Sequence, residues 1–130
     1  MTLDELNRHF DLRSELNTAN EMLESMRSAA EPGAQKITGM PRASGAHDMV
    51  GALAIEIVTL EESTAELKKE VAESEPYIKA FVEEISDIQL RTIFRLRFLC
   101  ALSWKEVAAI VGGRNSEDSV RMACYRYLGM

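Results

Sequence analysis

The chain has little of what small disulfide-bonded or metal-bound domains depend on. Its two cysteines, Cys100 and Cys124, stand alone in 130 residues without a CxxC spacing. That excludes a disulfide framework and a sequence-local zinc site, and both thiols are expected as reduced, buried fillers. His9 and His47 are the only histidines, each far in sequence from any cysteine, so no metal-ligand set is in view and both read as structural.

Proline and glycine are also sparse, at 3 and 7 residues, and aromatics make up 6%. Few turn-forming residues and short β-branched runs leave no need for strands, so the composition predicts an all-α protein. No stretch approaches the roughly 20 apolar residues that span a bilayer. The acidic start Met1-Thr2-Leu3-Asp4-Glu5 lacks the basic-then-apolar form of a signal peptide, so a cytoplasmic protein with no membrane partner is expected. There is no P-loop, nucleophile motif or glycine-rich cradle. The adjacent pairs Glu61-Glu62 and Glu83-Glu84 project from different parts of a helix surface and read as solvated faces. The expectation is therefore no enzyme, no cofactor and no metal.

What is present is an uneven charge. The net value of −6 argues against nucleic acid taken alone, but residues 1–87 hold 8 basic and 18 acidic side chains (−10), whereas residues 88–130 hold 7 basic and 3 acidic (+4). The positive end is the part open to an anionic partner.

From about Leu3 to Ala30, Leu12, Leu16, Ala19, Leu23, Met26 and Ala30 recur at four- and three-residue steps, one apolar seam on one helix. Pro32-Gly33 closes it, and a loop is expected over about 32–46. A second long helix begins near Asp48 with a heptad of Val50, Leu53, Ile57, Leu60, Thr64, Leu67 and Val71. Folded back antiparallel, the two make a long helical hairpin over residues 1–76, coiled-coil-like in pattern. Leu3, Leu6 and Phe10 on the first helix, and Ile55 and Val58 on the second, fall off that seam. A homo-oligomer, most simply a dimer in a four-helix arrangement, is thus expected, with Leu12, Leu16, Leu23, Leu53, Ile57, Leu60 and Leu67 as the oligomerising set. Pro76 predicts a kink or a new helix start. Tyr77, Ile78, Phe81, Val82, Ile85 and Ile88 continue the apolar face beyond it.

Residues 77–130 read as a separate compact domain. Asp87 can cap a helix bearing Leu90, Ile93, Phe94 and Leu96, with Arg91, Arg95 and Arg97 around it. Ser103 and Glu106 form a Ser-x-x-Glu capping box. Val107, Ile110 and Val111 should then face inward, with Ala108 small at a close crossing. Gly112-Gly113 permits a sharp exit. Asn115 with Asp118 can cap a last helix whose inward face is Val120, Cys124, Tyr127 and Leu128. Ser119, Met122 and Arg126, flanked by Arg121 and Tyr125, are left for a DNA groove. Two short capped helices joined by a glycine turn are the layout of a helix-turn-helix.

The run Leu90-Arg91-Thr92-Ile93-Phe94-Arg95-Leu96-Arg97-Phe98, with Leu102-Ser103-Trp104-Lys105-Glu106-Val107-Ala108, resembles the region-four domain of bacterial sigma factors. The whole layout, ending in Asp118-Ser119-Val120-Arg121 and Arg126-Tyr127-Leu128, is similar to small phage and prophage late-gene transcription regulators. The resemblance covers roughly 40 C-terminal residues. It implies a last helix that reads promoter DNA, Ser116 as its cap, Glu117, Ser119, Arg121 and Met122 near bases, Lys105 near phosphates, and contact with host RNA polymerase. The chain departs from that pattern in a turn about two residues longer at Gly113-Arg114, and in Glu117 and Asp118 where a more basic start is usual.

The leading expectation is a DNA-binding, phage-type regulator that meets duplex DNA through Lys105, Arg114, Asn115, Ser116, Glu117, Ser119, Arg121, Met122 and Arg126. A DNA-packaging adaptor of the small terminase kind is one alternative, and a helical protein-interaction scaffold with a degenerate helix-turn-helix is another.

Overall fold

Thr2 starts the first helix: its Oγ1 accepts the Glu5 N–H at 3.2 Å, and its own N–H donates to Glu5 Oε2 at 2.8 Å. This reciprocal cap satisfies two free amides at the start of α1 (Leu3–Ala30). A computed structural model describes residues 1–31 and 43–130, with side chains described from residue 49 onward in the second stretch. α2 spans Ala43–Glu83, α3 Ile88–Phe94, α4 Trp104–Val111 and α5 Glu117–Tyr127, with a π-helical turn at Arg95–Leu99 between α3 and α4. All five helices belong to an all-α fold, without strands among the described residues, in which α1 packs on α2.

Two sequence expectations about α2 change. Residues 43–46, placed in the predicted loop, are helical, so α2 begins five residues before Asp48, and the rest of that loop lies outside the described residues. Pro76 starts no new helix but lies inside α2. Its missing N–H costs a backbone bond and on the order of 3 kcal/mol. Burial of Val71, Ile78 and Val82, at 3%, 2% and 0% exposure on either side of it, offsets that loss.

Contacts divide the chain into one compact unit of Glu15–Lys68 and another of Met1–Ser14 with Lys69–Met130. In the first, the predicted seam is inside: Leu16, Ala19, Leu23 and Thr64 are buried. Leu53, Ile57, Leu60, Leu67 and Met26 are half-buried. Thr64 removes its polarity by donating its hydroxyl to the Leu60 carbonyl at 2.7 Å. Arg27 and Glu61 pair across the hairpin at 2.7 Å.

The second unit cuts across the division expected at residue 76. Leu6 has 0% exposure and joins Ile78, Val82, Ile85, Ile93, Phe94, Phe98, Val107, Ala108, Val120 and Cys124 in one core, with Leu3 and Phe10 packed against it. The off-seam residues of α1 thus serve the C-terminal core, and they cease to be an argument for oligomerisation. Ile55 and Val58 remain exposed. Aromatic rings stack through this core at Phe81–Phe94 (5.9 Å), Phe94–Phe98 (5.6 Å) and Phe98–Trp104 (6.1 Å), in edge or tilted geometries that add to area burial. No helix among the described residues is long and apolar enough to cross a membrane.

Candidate nucleic-acid interface

The supporting frame begins with Asp87, whose carboxylate accepts the Gln89 and Leu90 N–H groups and starts α3. α3 widens into the π-helical turn, where the Cys100 N–H donates to the Arg95 carbonyl five residues back at 3.0 Å. Ala101 then takes a left-handed φ of +58°, a conformation that costs a non-glycine residue about 1 kcal/mol. This exit lets Ser103 cap α4: its Oγ accepts the Glu106 N–H at 3.1 Å while Glu106 Oε1 accepts the Ser103 N–H at 3.0 Å. Donation from the Ser103 backbone N–H, and then from its hydroxyl, holds the Glu106 carboxyl below its ordinary pKa.

α4 and α5 cross where Val107 and Ala108 on one meet Val120 and Cys124 on the other, all in the shared core. The small Ala108 side chain permits that approach. Between them Gly112 and Gly113 have φ of +72° and +66°. A Cβ at either would meet nothing within 4 Å, so backbone conformation and not space demands glycine here.

Several sequence expectations are corrected at this point. Ser116, the cap position that the resemblance implies, and not Asn115 with Asp118, caps α5: its Oγ accepts the Ser119 N–H at 3.1 Å, and Ser119 Oγ accepts the Ser116 N–H at 2.8 Å. Asn115 instead donates its side-chain amide to the Gly112 carbonyl at 2.9 Å, holding the turn. Ile110 is 60% exposed, because α4 is only eight residues long and buries just the Val107–Ala108 edge. Tyr127 is 44% exposed, yet its ring still meets Phe94 at 5.6 Å. Cys100 is exposed at the end of the π-helical turn, whereas Cys124 is buried and its thiol is pushed up to about 12 by desolvation.

The nine residues expected at DNA lie together on the α4–turn–α5 segment but do not have equal freedom. Lys105, Arg114, Glu117, Met122 and Arg126 are exposed. Ser116 and Ser119 are exposed too, with hydroxyls used in the cap. Arg121 pairs with Asp118 at 2.6 Å, one turn earlier on the same helix, which neutralises its charge toward an incoming phosphate. Among the described residues, neither Lys105, Arg114 nor Arg126 forms an ion pair. These three are the available cations of the segment.

Arg97 was legible only as one of three arginines around α3. Its guanidinium is sandwiched between Phe10, at 3.8 Å, and Trp104, at 4.4 Å, and it donates to the Leu102 carbonyl at 3.0 Å. Burial lowers its pKa from the ordinary value. It fixes the α4 start against α1 and is not offered to a ligand. His9, one residue from Phe10, is 1% exposed, with Nδ1 2.6 Å from Ser74 Oγ and Nε2 unpartnered. Burial lowers its pKa, opposed by Glu75 and assisted by Arg13. No sequence spacing announced either residue, because each depends on a partner far away in the chain, Phe10 for Arg97 and Ser74 for His9.

No family model, curated protein or solved structure matches the chain.

Proposed function

We propose that the chain binds duplex DNA through the outer surface of α4, the glycine turn and α5, and regulates transcription as a phage-type protein of the sigma region-four kind, working as an oligomer. The observation that carries the reading is the anchoring of α5. Val120 and Cys124, at 1% and 0% exposure, hold it down on one side. Lys105, Arg114 and Arg126 stand in solvent in the part of the chain whose formal charge is +4. A two-helix unit with one buried edge and unpaired cations outside suits a groove flanked by phosphates. Met122, 45% exposed on α5, adds an apolar contact of the size a thymine methyl accepts.

Fluorescence anisotropy with duplex fragments selected from the parent genome tests this. Three phosphate contacts imply that affinity falls roughly 40-fold between about 50 and 200 mM salt, and Arg114→Ala with Arg126→Ala should remove about two units of the log–log slope. A parent with no binding at low salt, or a double variant that binds as the parent does, overturns the proposal. The sigma likeness adds contact with host RNA polymerase, which co-purification of the polymerase with the tagged chain examines.

The Asp118–Arg121 pair at 2.6 Å favours a second reading, a protein-interaction scaffold built on a degenerate helix-turn-helix. In that case Asp118→Asn, which frees Arg121, leaves the absence of DNA binding unchanged. For a DNA reader the same change tightens it.

A further inference from the structure

Within the unit of Met1–Ser14 and Lys69–Met130, a cleft of about 510 Å³ runs between the start of α1 and the end of α2. Met1, just ahead of α1, and Glu5, Arg8 and Leu12 on it line one side, with Glu70, Glu73 and Tyr77 opposite on α2. Tyr77 is 73% and Met1 42% exposed, so an aromatic ring and a thioether face solvent there.

Glu5, Arg8 and Leu12 are spaced by three and four residues and therefore share one face of α1, and Met1, just ahead of that helix, lines the same cleft. Their order is apolar, acidic, basic, apolar. Against a second α1 running antiparallel, this face is complementary to itself. Met1 meets Leu12 and Glu5 meets Arg8, each contact occurring twice about a two-fold axis. Parallel pairing would set Glu5 on Glu5 and Arg8 on Arg8, so the charges select the antiparallel register. Arg8 forms no ion pair among the described residues. Glu5 uses Oε2 for the Thr2 amide and keeps Oε1 for a partner.

The competing faces are weaker. Leu16 and Leu23 are already buried within one chain. Exposed Ile55 and Val58 are flanked by exposed Glu56 and Glu62, where a second identical copy meets like charge.

We propose that a second copy of this chain pairs antiparallel along the Glu5–Leu12 face of α1, covering Met1 and Tyr77 at the cleft. The proposal rests on the oligomeric part of the reading above and deepens it by naming the surface.

Sedimentation velocity without DNA tests it over roughly 1–100 µM, the range in which a small polar-rimmed interface dimerises. Arg8→Glu makes both central positions acidic and Glu5→Arg makes both basic. Each should weaken self-association at least tenfold, and a 1:1 mixture should restore a dimer with parent affinity, because every cross-pair is then opposite in charge. Glu5→Arg also removes the Thr2 cap, so Arg8→Ala, which keeps that cap, must weaken the dimer as well. Far-UV circular dichroism monitors folding of each variant.

A parent that is monomeric throughout overturns the proposal, as does a folded Arg8→Glu that dimerises like the parent, or a mixture of folded variants that stays monomeric. DNA binding is titrated separately. A monomeric parent that still binds duplex overturns the pairing and leaves the DNA reading standing, whereas a dimer that binds none does the reverse.

Discussion

Replacing Leu6 by Ala tests whether the first turns of α1 belong to the C-terminal core. Leu6 has 0% exposure and sits in one cluster with Phe94, Phe98, Val107, Val120 and Cys124. Truncating a fully buried leucine removes its transfer free energy and leaves a cavity, a change that costs about 2–5 kcal/mol, so about 3 kcal/mol is expected here. A unit of this size has a total stability of roughly 4–11 kcal/mol. The loss is therefore roughly a quarter to three quarters of the whole, and about 12–24 °C in Tm. Trp104, the single tryptophan, lies 6.1 Å from Phe98 and reports this core by fluorescence. Urea titrations should show the midpoint of the Trp104 transition lowered by the same amount at low and high protein concentration. If Leu6 instead faced a partner chain, the loss would appear only where the parent associates and would vanish on dilution. A change below about 1 kcal/mol, or one that depends on concentration, refutes the assignment of Leu6 to this core.

Protonation of His9 is opposed by burial, so its pKa in the folded chain lies below 6.5. The stability it contributes is complete above 6.5 and is lost as pH falls through that value toward the folded pKa, because the unfolded chain then binds the extra proton. The urea midpoint should accordingly drop between about pH 7.5 and 5.5, and His9→Gln should flatten that part of the profile. An unchanged slope would show that His9 is not the group responsible. For the thiols, Ellman's reagent should modify exposed Cys100 quickly and Cys124, pushed up to about 12, only on unfolding. Two equally fast thiols would contradict the burial of Cys124. Arg97→Lys keeps the charge but loses the planar stack between Phe10 and Trp104, and should destabilise the Trp104 transition by about 1–2 kcal/mol. A neutral result would mean that the stack contributes nothing beyond packing.

Much of the fold was legible because its signals are local. The apolar seam of α1, the caps at Asp87 and Ser103, and the glycine exit at Gly112-Gly113 each depend on residues within one or two turns of one another. The candidate site was legible as a segment but not in its energetics. Spacing placed Arg121 on the outer side of α5 with Asp118 at the i,i+3 offset of a helical ion pair, but only the structure fixed that pair at 2.6 Å. Spacing likewise set Asn115 at a cap when the amide holds the turn. Short-range competition among polar side chains depends on exact backbone angles, and these arise only once α4 and α5 have packed.

The order of apolar and polar residues by itself determined an all-helical chain, a long N-terminal helix packing on a second, and two short capped helices at the end, since helical periodicity and capping are nearest-neighbour properties. Only tertiary packing decided that Pro76 would be carried inside α2, that Leu6 would enter a core otherwise built from residues 78–124, and that Arg97 would lie between Phe10 and Trp104. Each of those outcomes trades a local penalty or a missing local signal against burial supplied by residues distant in the chain, and that balance exists only in three dimensions.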